Sequence, residues 1–216
     1  MHFRNVTLAA LAFATVAFAQ NPITADSPFQ VRYAANLNLG ESYIDITNTG
    51  ANGAALLGPG IGAQVGNICV NVYAFDPSEE LVSCCSCLVT PDQTVNLGVV
   101  ADLTSKTLTG VVPTSVTVKL LATLAGTGST ACQNSAATSA ATIAPVTGMA
   151  AWGTTLHPTP VAGTTATTET AFTPATLSAG ELASITGRCA AIIGNASGFG
   201  ICTSCRSGAL GGQKLL

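Results

Sequence analysis

Eight cysteines among 216 residues constrain the fold of this chain more than any other feature of its sequence. Three of them crowd into Cys84-Cys85-Ser86-Cys87, and two more form Cys202-Thr203-Ser204-Cys205. In an exported protein, an even number of cysteines predicts a closed disulfide framework, although the spacing leaves the pairing open. A ring between neighbouring cysteines is strained, so Cys84 and Cys85 are expected to bond to different partners. The disulfide candidates are Cys69, Cys84, Cys85, Cys87, Cys132, Cys189, Cys202 and Cys205.

Residues 1–19 have the three-part layout of a secretory signal peptide. A short positive start precedes an apolar stretch over residues 6–18, and Ala17-Phe18-Ala19 forms a small-x-small cleavage site. The apolar stretch is shorter than the roughly 20 residues that span a bilayer, and an uncleaved N-terminal anchor is the alternative. We therefore expect a secreted, extracellular or cell-surface protein, or a periplasmic one, without an integral membrane segment after cleavage. Residues 20–209 are expected to form a single domain, followed by a flexible tail over residues 210–216.

Charged residues are scarce, at 8% of the chain, and the formal net charge is −3. The 7 Lys and Arg residues are scattered and cannot form the basic stripe that nucleic-acid binding requires, so nucleic acid is not an expected partner. A hydrophobic content of 48% excludes a charged disordered chain. Too few Glu, Lys and Arg residues are present for a coiled coil. These counts predict a globular protein of low charge.

Short apolar or alternating stretches, separated by turn residues, predict an all-β fold. Residues 67–75 are apolar on both faces and are expected in the middle of a sheet, with residues 81–88 returning beside them. Thr117 and Lys119 alternate with apolar residues and predict a solvated face. Residues 158–170, rich in Thr and Pro, are expected to be extended and exposed. The predicted strands are 30–33, 42–47, 67–75, 81–88, 94–101, 115–124 and 149–156, with either a loop or a short strand at 107–109.

One helix is predicted near the C-terminus, over about residues 178–193. Ser178-Ala179-Gly180-Glu181 fits a capping box, in which Ser178 reaches forward to the Glu181 amide and Glu181 reaches back. Gly194 is placed to end the helix. Cys189 lies on the apolar stripe, so we expect a disulfide to tie this helix to the sheets. The predicted fold is therefore a disulfide-stabilised β-sandwich with one C-terminal α-helix packed on it.

Few residues offer catalytic or metal chemistry. His157 is the single histidine after signal cleavage, and no G-x-S-x-G nucleophile elbow is present. The clustered cysteines resemble zinc ligands by type, but an oxidising compartment favours disulfides. Asp76, Glu79 and Glu80 lack the spacing of a calcium loop. We expect no catalytic residue, no metal and no cofactor, and the chain is interpreted as non-enzymatic, with a secreted hydrolase as an alternative.

A ligand-binding role is the second interpretation of this sequence. Trp152, the single tryptophan, lies within the strand predicted over residues 149–156, and His157 lies at its end, beside the Thr-rich stretch. A flat polar face with an aromatic residue suits a polysaccharide, although aromatic residues make up only 5% of the chain. Trp152 and His157 are therefore the candidate ligand-binding residues of an extracellular polysaccharide-binding module.

Two stretches carry a resemblance to a known group of proteins. Residues 67–77, Asn-Ile-Cys-Val-Asn-Val-Tyr-Ala-Phe-Asp-Pro, followed by the cysteines of 84–87, resemble an uncharacterised family of secreted, cysteine-containing bacterial proteins. Residues 151–157 and 178–205 are similar too, so the resemblance covers most of the mature chain. It implies a bacterial source and a location in the periplasm, at the cell surface or in the medium. It implies no activity, cofactor or catalytic residue.

The leading functional expectation is an exported, non-enzymatic protein of surface structure or adhesion. Its partners would be cell-surface polymers or further copies of itself. One route to self-assembly is the N-terminal arm, residues 20–33, which would add as a strand to the open sheet edge of a neighbour.

Overall fold

The computed structural model describes residues 26–56, 65–125, 132–203 and 205–207. The predicted signal peptide over residues 1–19, the start of the predicted arm over residues 20–25 and the predicted tail over residues 210–216 lie outside these ranges. Among the described residues, no helix combines the length and the apolar character needed to cross a membrane.

The strands form two antiparallel sheets. In chain order the strands are β1 (Phe29–Ala34), β2 (Tyr43–Asn48), β3 (Ile68–Phe75), β4 (Leu81–Val89), β5 (Thr94–Gly98), β6 (Val116–Leu124), β7 (Met149–Pro158), β8 (Thr165–Ala171), β9 (Thr173–Pro174) and β10 (Arg206–Ser207). The first sheet has the order β4-β3-β6-β1-β9, and the second has the order β10-β5-β2-β7-β8. One helix, α1 (Ala179–Gly194), follows the last strand of the first sheet. The predicted β-sandwich with one C-terminal helix is confirmed.

The β3–β4 hairpin is the best-buried part of the first sheet. All eight residues of β3 are buried, and β3 lies between β4 and β6, so its predicted central position is confirmed. The turn is closed by Asp76, whose Oδ1 accepts hydrogen bonds from the amides of Ser78 and Glu80, both at 2.9 Å. This short polar turn directs β4 back along β3, antiparallel to it, as the predicted returning strand requires.

Two apolar cores lie on opposite sides of the first sheet. The core between the sheets contains Val70, Val72 and Leu120 of the first sheet and Ile44, Ile46 and Leu97 of the second. The core under the helix contains Phe29, Tyr73, Leu121, Ile185 and Cys189. The Tyr73 hydroxyl donates to the carbonyl of Ala137 at 2.9 Å, and burial raises the pKa of Tyr73 well above its usual range. The first sheet is therefore buried on both faces.

Helix α1 begins as predicted but differs in one half of its cap. The Ser178 Oγ accepts a hydrogen bond from the Glu181 amide at 3.1 Å, while the Glu181 carboxylate pairs with Lys119 of β6 at 2.5 Å instead of reaching back to the backbone. The ammonium of Lys119 also lies 4.7 Å from the ring centroid of Phe75. Thr117 and Lys119 remain half-exposed between buried neighbours, as the alternation predicts, and Lys119 also joins the strand to the helix.

All four disulfides have one sulfur on the β3–β4 hairpin. Cys69 of β3 bonds to Cys132. On β4, Cys84 bonds to Cys189 of α1. Cys85 bonds to Cys202, and Cys87 to Cys205, in the segment that follows the helix. The adjacent Cys84 and Cys85 therefore have different partners, as the strain argument predicts, and we call β3 and β4 together the cysteine hairpin.

The stretch after β5 differs from its prediction. The strand predicted over residues 94–101 ends at Gly98, and Val99–Thr104 form a π-helical turn. Two carboxylates hold this turn: Glu41 accepts from the amides of Val100 and Ala101, and Asp102 accepts from the amide of Gly98. Residues 107–109 form a turn, so the loop and not the short strand is correct.

The N-terminal arm is already used inside the molecule. Strand β1 pairs with β6 along its full length and with β9 at Gln30 and Val31. The described part of the arm is therefore engaged within the same chain, by β6 along its full length and by β9 at two positions, and strand addition through residues 20–33 stays a prediction.

Removing the disulfide between Cys84 and Cys189 is expected to loosen α1 selectively. The paired substitution Cys84→Ala with Cys189→Ala should lower the free energy of unfolding by about 2–4 kcal/mol, because it frees a long loop in the unfolded chain. Amide hydrogen exchange across α1 should accelerate more than exchange in β3. The matched control, Cys69→Ala with Cys132→Ala, should leave exchange in α1 unchanged; equal exchange in α1 for both variants would contradict the role of this crosslink.

Candidate interaction surface

The β7–β8 ribbon ends the second sheet in a fully exposed strand, β8. Its two strands pair without a register shift from Trp152 opposite Ala171 to Pro158 opposite Thr165. All seven residues of β8 are exposed. The turn between the strands is closed by Thr164, whose amide and hydroxyl both donate to the carbonyl of Val161, and Gly163 there adopts a φ of 77°. The Thr-rich stretch predicted as extended and exposed is therefore an ordered, exposed edge strand.

Trp152 and His157 lie on opposite faces of this ribbon. They are five residues apart on β7, and side chains alternate between the two faces of a strand. Trp152 is 38% exposed and is flanked in register by Asp45 and Ala171. His157 is exposed, and its Nε2 lies 2.8 Å from the Thr168 Oγ1. The structure therefore does not bring these two candidate ligand-binding residues together into one site.

Arg32 joins the ribbon to the first sheet. It projects from β1, is only 9% exposed, and donates to the Thr154 carbonyl at 3.2 Å and to the Thr155 Oγ1 at 2.8 Å. Its Nε and Nη2 also approach the Thr170 Oγ1 of β8, at 3.4 and 3.3 Å. Burial lowers the pKa of Arg32, and the nearby Glu169 carboxylate opposes that shift. The guanidinium thus holds both strands of the ribbon from one side.

Gly153 makes room for this contact. A Cβ atom at this position would lie 2.6 Å from the Arg32 Nη1 and 2.8 Å from its Cζ, closer than atoms can approach. The absence of a side chain at Gly153 therefore lets the buried guanidinium lie flat against β7. The role of Arg32 is not predictable from the sequence, because a single arginine in a strand gives no indication of which distant groups it contacts.

The outer edge of β8 has no partner strand among the described residues. The amide of Phe172 donates to the carbonyl of Ala151 at 2.8 Å, and peptide groups in an antiparallel strand point alternately toward and away from a given neighbour. Thr165, Thr167, Glu169 and Ala171 consequently direct their N–H and C=O groups away from β7. Within the described ranges the backbone of β8 pairs with β7 alone.

Three cysteine sulfurs lie close together on the side of the sandwich opposite the ribbon, and they belong to disulfides instead of free thiols. The Sγ atoms of Cys85, Cys87 and Cys205 lie within 4.8 Å of one another, close enough to share a metal ion by distance alone. All three are bonded in disulfides, however. A metal prefers a thiolate, and a disulfide sulfur offers none. The two disulfides of this cluster join β4 to the C-terminal segment.

A groove of about 530 Å³ lies beside α1 and the turn of the cysteine hairpin. The groove is lined by the apolar residues Leu81, Leu108 and Ile192. The charged residues Glu79 and Arg188 line it too. Arg188 donates to the Glu79 carbonyl at 2.5 Å, which fastens the turn to the helix. His157 lies on the ribbon and not among the residues that line this groove, so the groove and the histidine do not combine into a hydrolytic site.

Comparison with known proteins gives no relative: no family model, curated protein or solved structure matches this chain.

Replacing Arg32 is expected to loosen the β7–β8 ribbon. Arg32→Met removes the donors to Thr154, Thr155 and Thr170, so it should lower the free energy of unfolding by about 1–3 kcal/mol and accelerate amide exchange in β8. Arg32→Lys keeps the charge but not the forked donor geometry and should give an intermediate result. Lys106→Met, an equal charge change at an exposed site, is the control. Unchanged exchange in β8 for Arg32→Met would contradict the anchoring role.

Proposed function

We propose that this protein is an exported, non-enzymatic component of surface structure or adhesion that presents the β7–β8 ribbon to its surroundings. The observation that carries the proposal is the contrast between the two sides of the molecule. Four disulfides fix the cysteine hairpin to the loop at Cys132, to α1 and to the C-terminal segment. On the other side, a regular strand exposes every one of its residues.

The disulfides support the location of the protein. Disulfides persist in oxidising compartments, which in bacteria are the periplasm, the cell surface and the medium. They join residues 63 to 118 positions apart, so each removes freedom from a long stretch of the unfolded chain. Such crosslinking suits a protein that works outside the cell, where it must stay folded without renewal.

The composition of the ribbon supports an interaction role over catalysis. Strand β8 consists of threonine and alanine apart from Glu169. Such a surface offers hydroxyl groups and backbone donors and acceptors, which suit hydrogen bonding with another strand or with a polymer. The Nε2 of His157, the histidine on this ribbon, lies beside the Thr168 hydroxyl, whereas a catalytic imidazole is oriented by an acidic partner.

Fractionation of the source cells tests the location. Antibody against the oxidised protein should detect it in the outer-surface or medium fraction, beginning after the predicted cleavage site when its N-terminus is sequenced. Protease treatment of intact cells should remove the surface-bound pool. Recovery in the cytosol with its eight cysteines reduced would overturn the proposal, because the crosslinked frame would then not exist in the cell.

Polysaccharide binding is the second candidate, and the placement of Trp152 favours it. An indole that is 38% exposed on a flat sheet face, beside the open strand β8, is a platform on which a sugar ring can stack. Neighbouring threonine hydroxyls would supply hydrogen bonds.

A glycan array with the oxidised protein tests this second candidate. For any glycan that binds, Trp152→Ala should weaken binding by at least about tenfold, which corresponds to ~1.4 kcal/mol. His157→Ala is the matched control, since His157 lies on the opposite face of the same strand and its loss should leave binding unchanged. No binding to any glycan, or an equal loss in both variants, would remove this candidate.

A further inference from the structure

We propose that β8 pairs antiparallel with β8 of a second copy of this chain, around a two-fold axis at Thr168. The pairing joins two five-stranded second sheets into one continuous sheet. This inference deepens the proposed structural role and rests on it, since a protein that builds surface structure needs a contact between its copies. The inference replaces the N-terminal arm with an edge that the folded molecule leaves open.

Strand β8 lacks the features that protect most exposed edges. Natural edge strands are blunted by lysine, proline, a bulge or a covering element. Strand β8 contains neither lysine nor proline, pairs with β7 at seven successive positions without a bulge, and has every residue exposed. Four of its seven residues are threonine, a β-branched residue that favours strands. The exposed edge of β8 can therefore form backbone hydrogen bonds with another strand.

The hydrogen-bonding pattern selects the register. Outward peptide groups belong to Thr165, Thr167, Glu169 and Ala171, and in an antiparallel pair such residues must face one another. The register that uses the whole strand places Thr167 opposite Glu169 and Thr165 opposite Ala171 of the second copy. Thr168 then faces Thr168 across the two-fold axis, in a position where side chains of opposed strands approach closely.

Charge favours the same register. Glu169 is the one charged residue of β8, and like charges directly opposite each other destabilise a strand pair. In the full-length register each Glu169 faces a threonine. If the two-fold axis lay at Glu169 instead, the Glu169 carboxylates of the two copies would face each other, and fewer residues of β8 would pair. The longest pairing thus also avoids a charge clash, a self-complementarity that points to a second copy over an unrelated strand.

The expected dimer is weak. A single seven-residue edge buries much less than the roughly 1,600 Å² of a standard protein interface. We therefore expect a dissociation constant on the order of 100 μM in dilute solution. Because a two-fold contact is closed, the product is a dimer and not an open filament, and crowding at a surface would raise its population.

Sedimentation and light scattering of the oxidised, full mature chain at increasing concentration test the backbone contact. Thr167→Pro removes an N–H that points away from β7, so the ribbon keeps its own hydrogen bonds while the dimer loses two at its centre. Thr167→Pro should therefore lower the association constant of the dimer by at least about tenfold. Thr167→Val, which keeps the backbone donor, should associate as the wild type does. A monomeric wild type at millimolar concentration, or a dimer that Thr167→Pro leaves intact, would overturn the inference.

Charge variants at the same exposed position test the register. Thr167→Lys places two lysines opposite the two Glu169 carboxylates and should strengthen association by roughly 2- to 30-fold, whereas Thr167→Glu should weaken it by a similar factor. Weaker association of both variants would contradict this register, because it would place Thr167 opposite itself. Disulfide mapping and circular dichroism confirm that each variant is folded. If no dimer forms through β8, the fractionation result still holds. The dimer and the proposed exported location are therefore tested independently.

Discussion

The alternation of side chains along β4 is the constraint on which the rest of the structure depends. Neighbouring residues of a strand face opposite sides of its sheet, so Cys84 points into the core under α1 while Cys85 and Cys87 point into the core between the sheets. One strand can therefore hold the helix on one face and the C-terminal segment on the other. A shift of β4 by one residue would exchange these faces and leave every one of its crosslinks without a partner.

The C-terminal segment closes one side of the sandwich, because it connects β4 of the first sheet to β5 of the second. After α1 the chain runs beside β4, where the amide of Cys84 donates to the carbonyl of Gly200 at 2.9 Å. It then crosses to the second sheet and pairs with β5 as β10. The disulfides of Cys202 and Cys205 fasten it at the point of crossing. One side of the sandwich is thus closed covalently, whereas the other side ends in the open edge of β8.

Much of the fold is predictable from the sequence because its signals are local. Strand β3 is apolar on both faces, and Ser178 precedes an apolar stripe of helical period, so a central strand and a capped helix follow directly. The errors arise where distant groups decide the outcome. Residues 99–101 leave the sheet where Glu41 binds the amides of Val100 and Ala101, and Asp102 binds the amide of Gly98 just before them. Lys119 is half-buried because it pairs with Glu181 of α1. Strand β8 is predicted as extended and exposed but not as a strand, because its polar and apolar residues do not alternate. Its order comes from its contacts with β7 and Arg32.

The central claim is that the cysteine hairpin organises the molecule through four defined crosslinks. Disulfide mapping of the native protein by mass spectrometry tests it most directly, with stepwise partial reduction because proteolysis does not separate the adjacent Cys84 and Cys85. The account predicts the pairs 69–132, 84–189, 85–202 and 87–205 with no free thiol. A bond between Cys202 and Cys205, or free cysteines on β4, would contradict it.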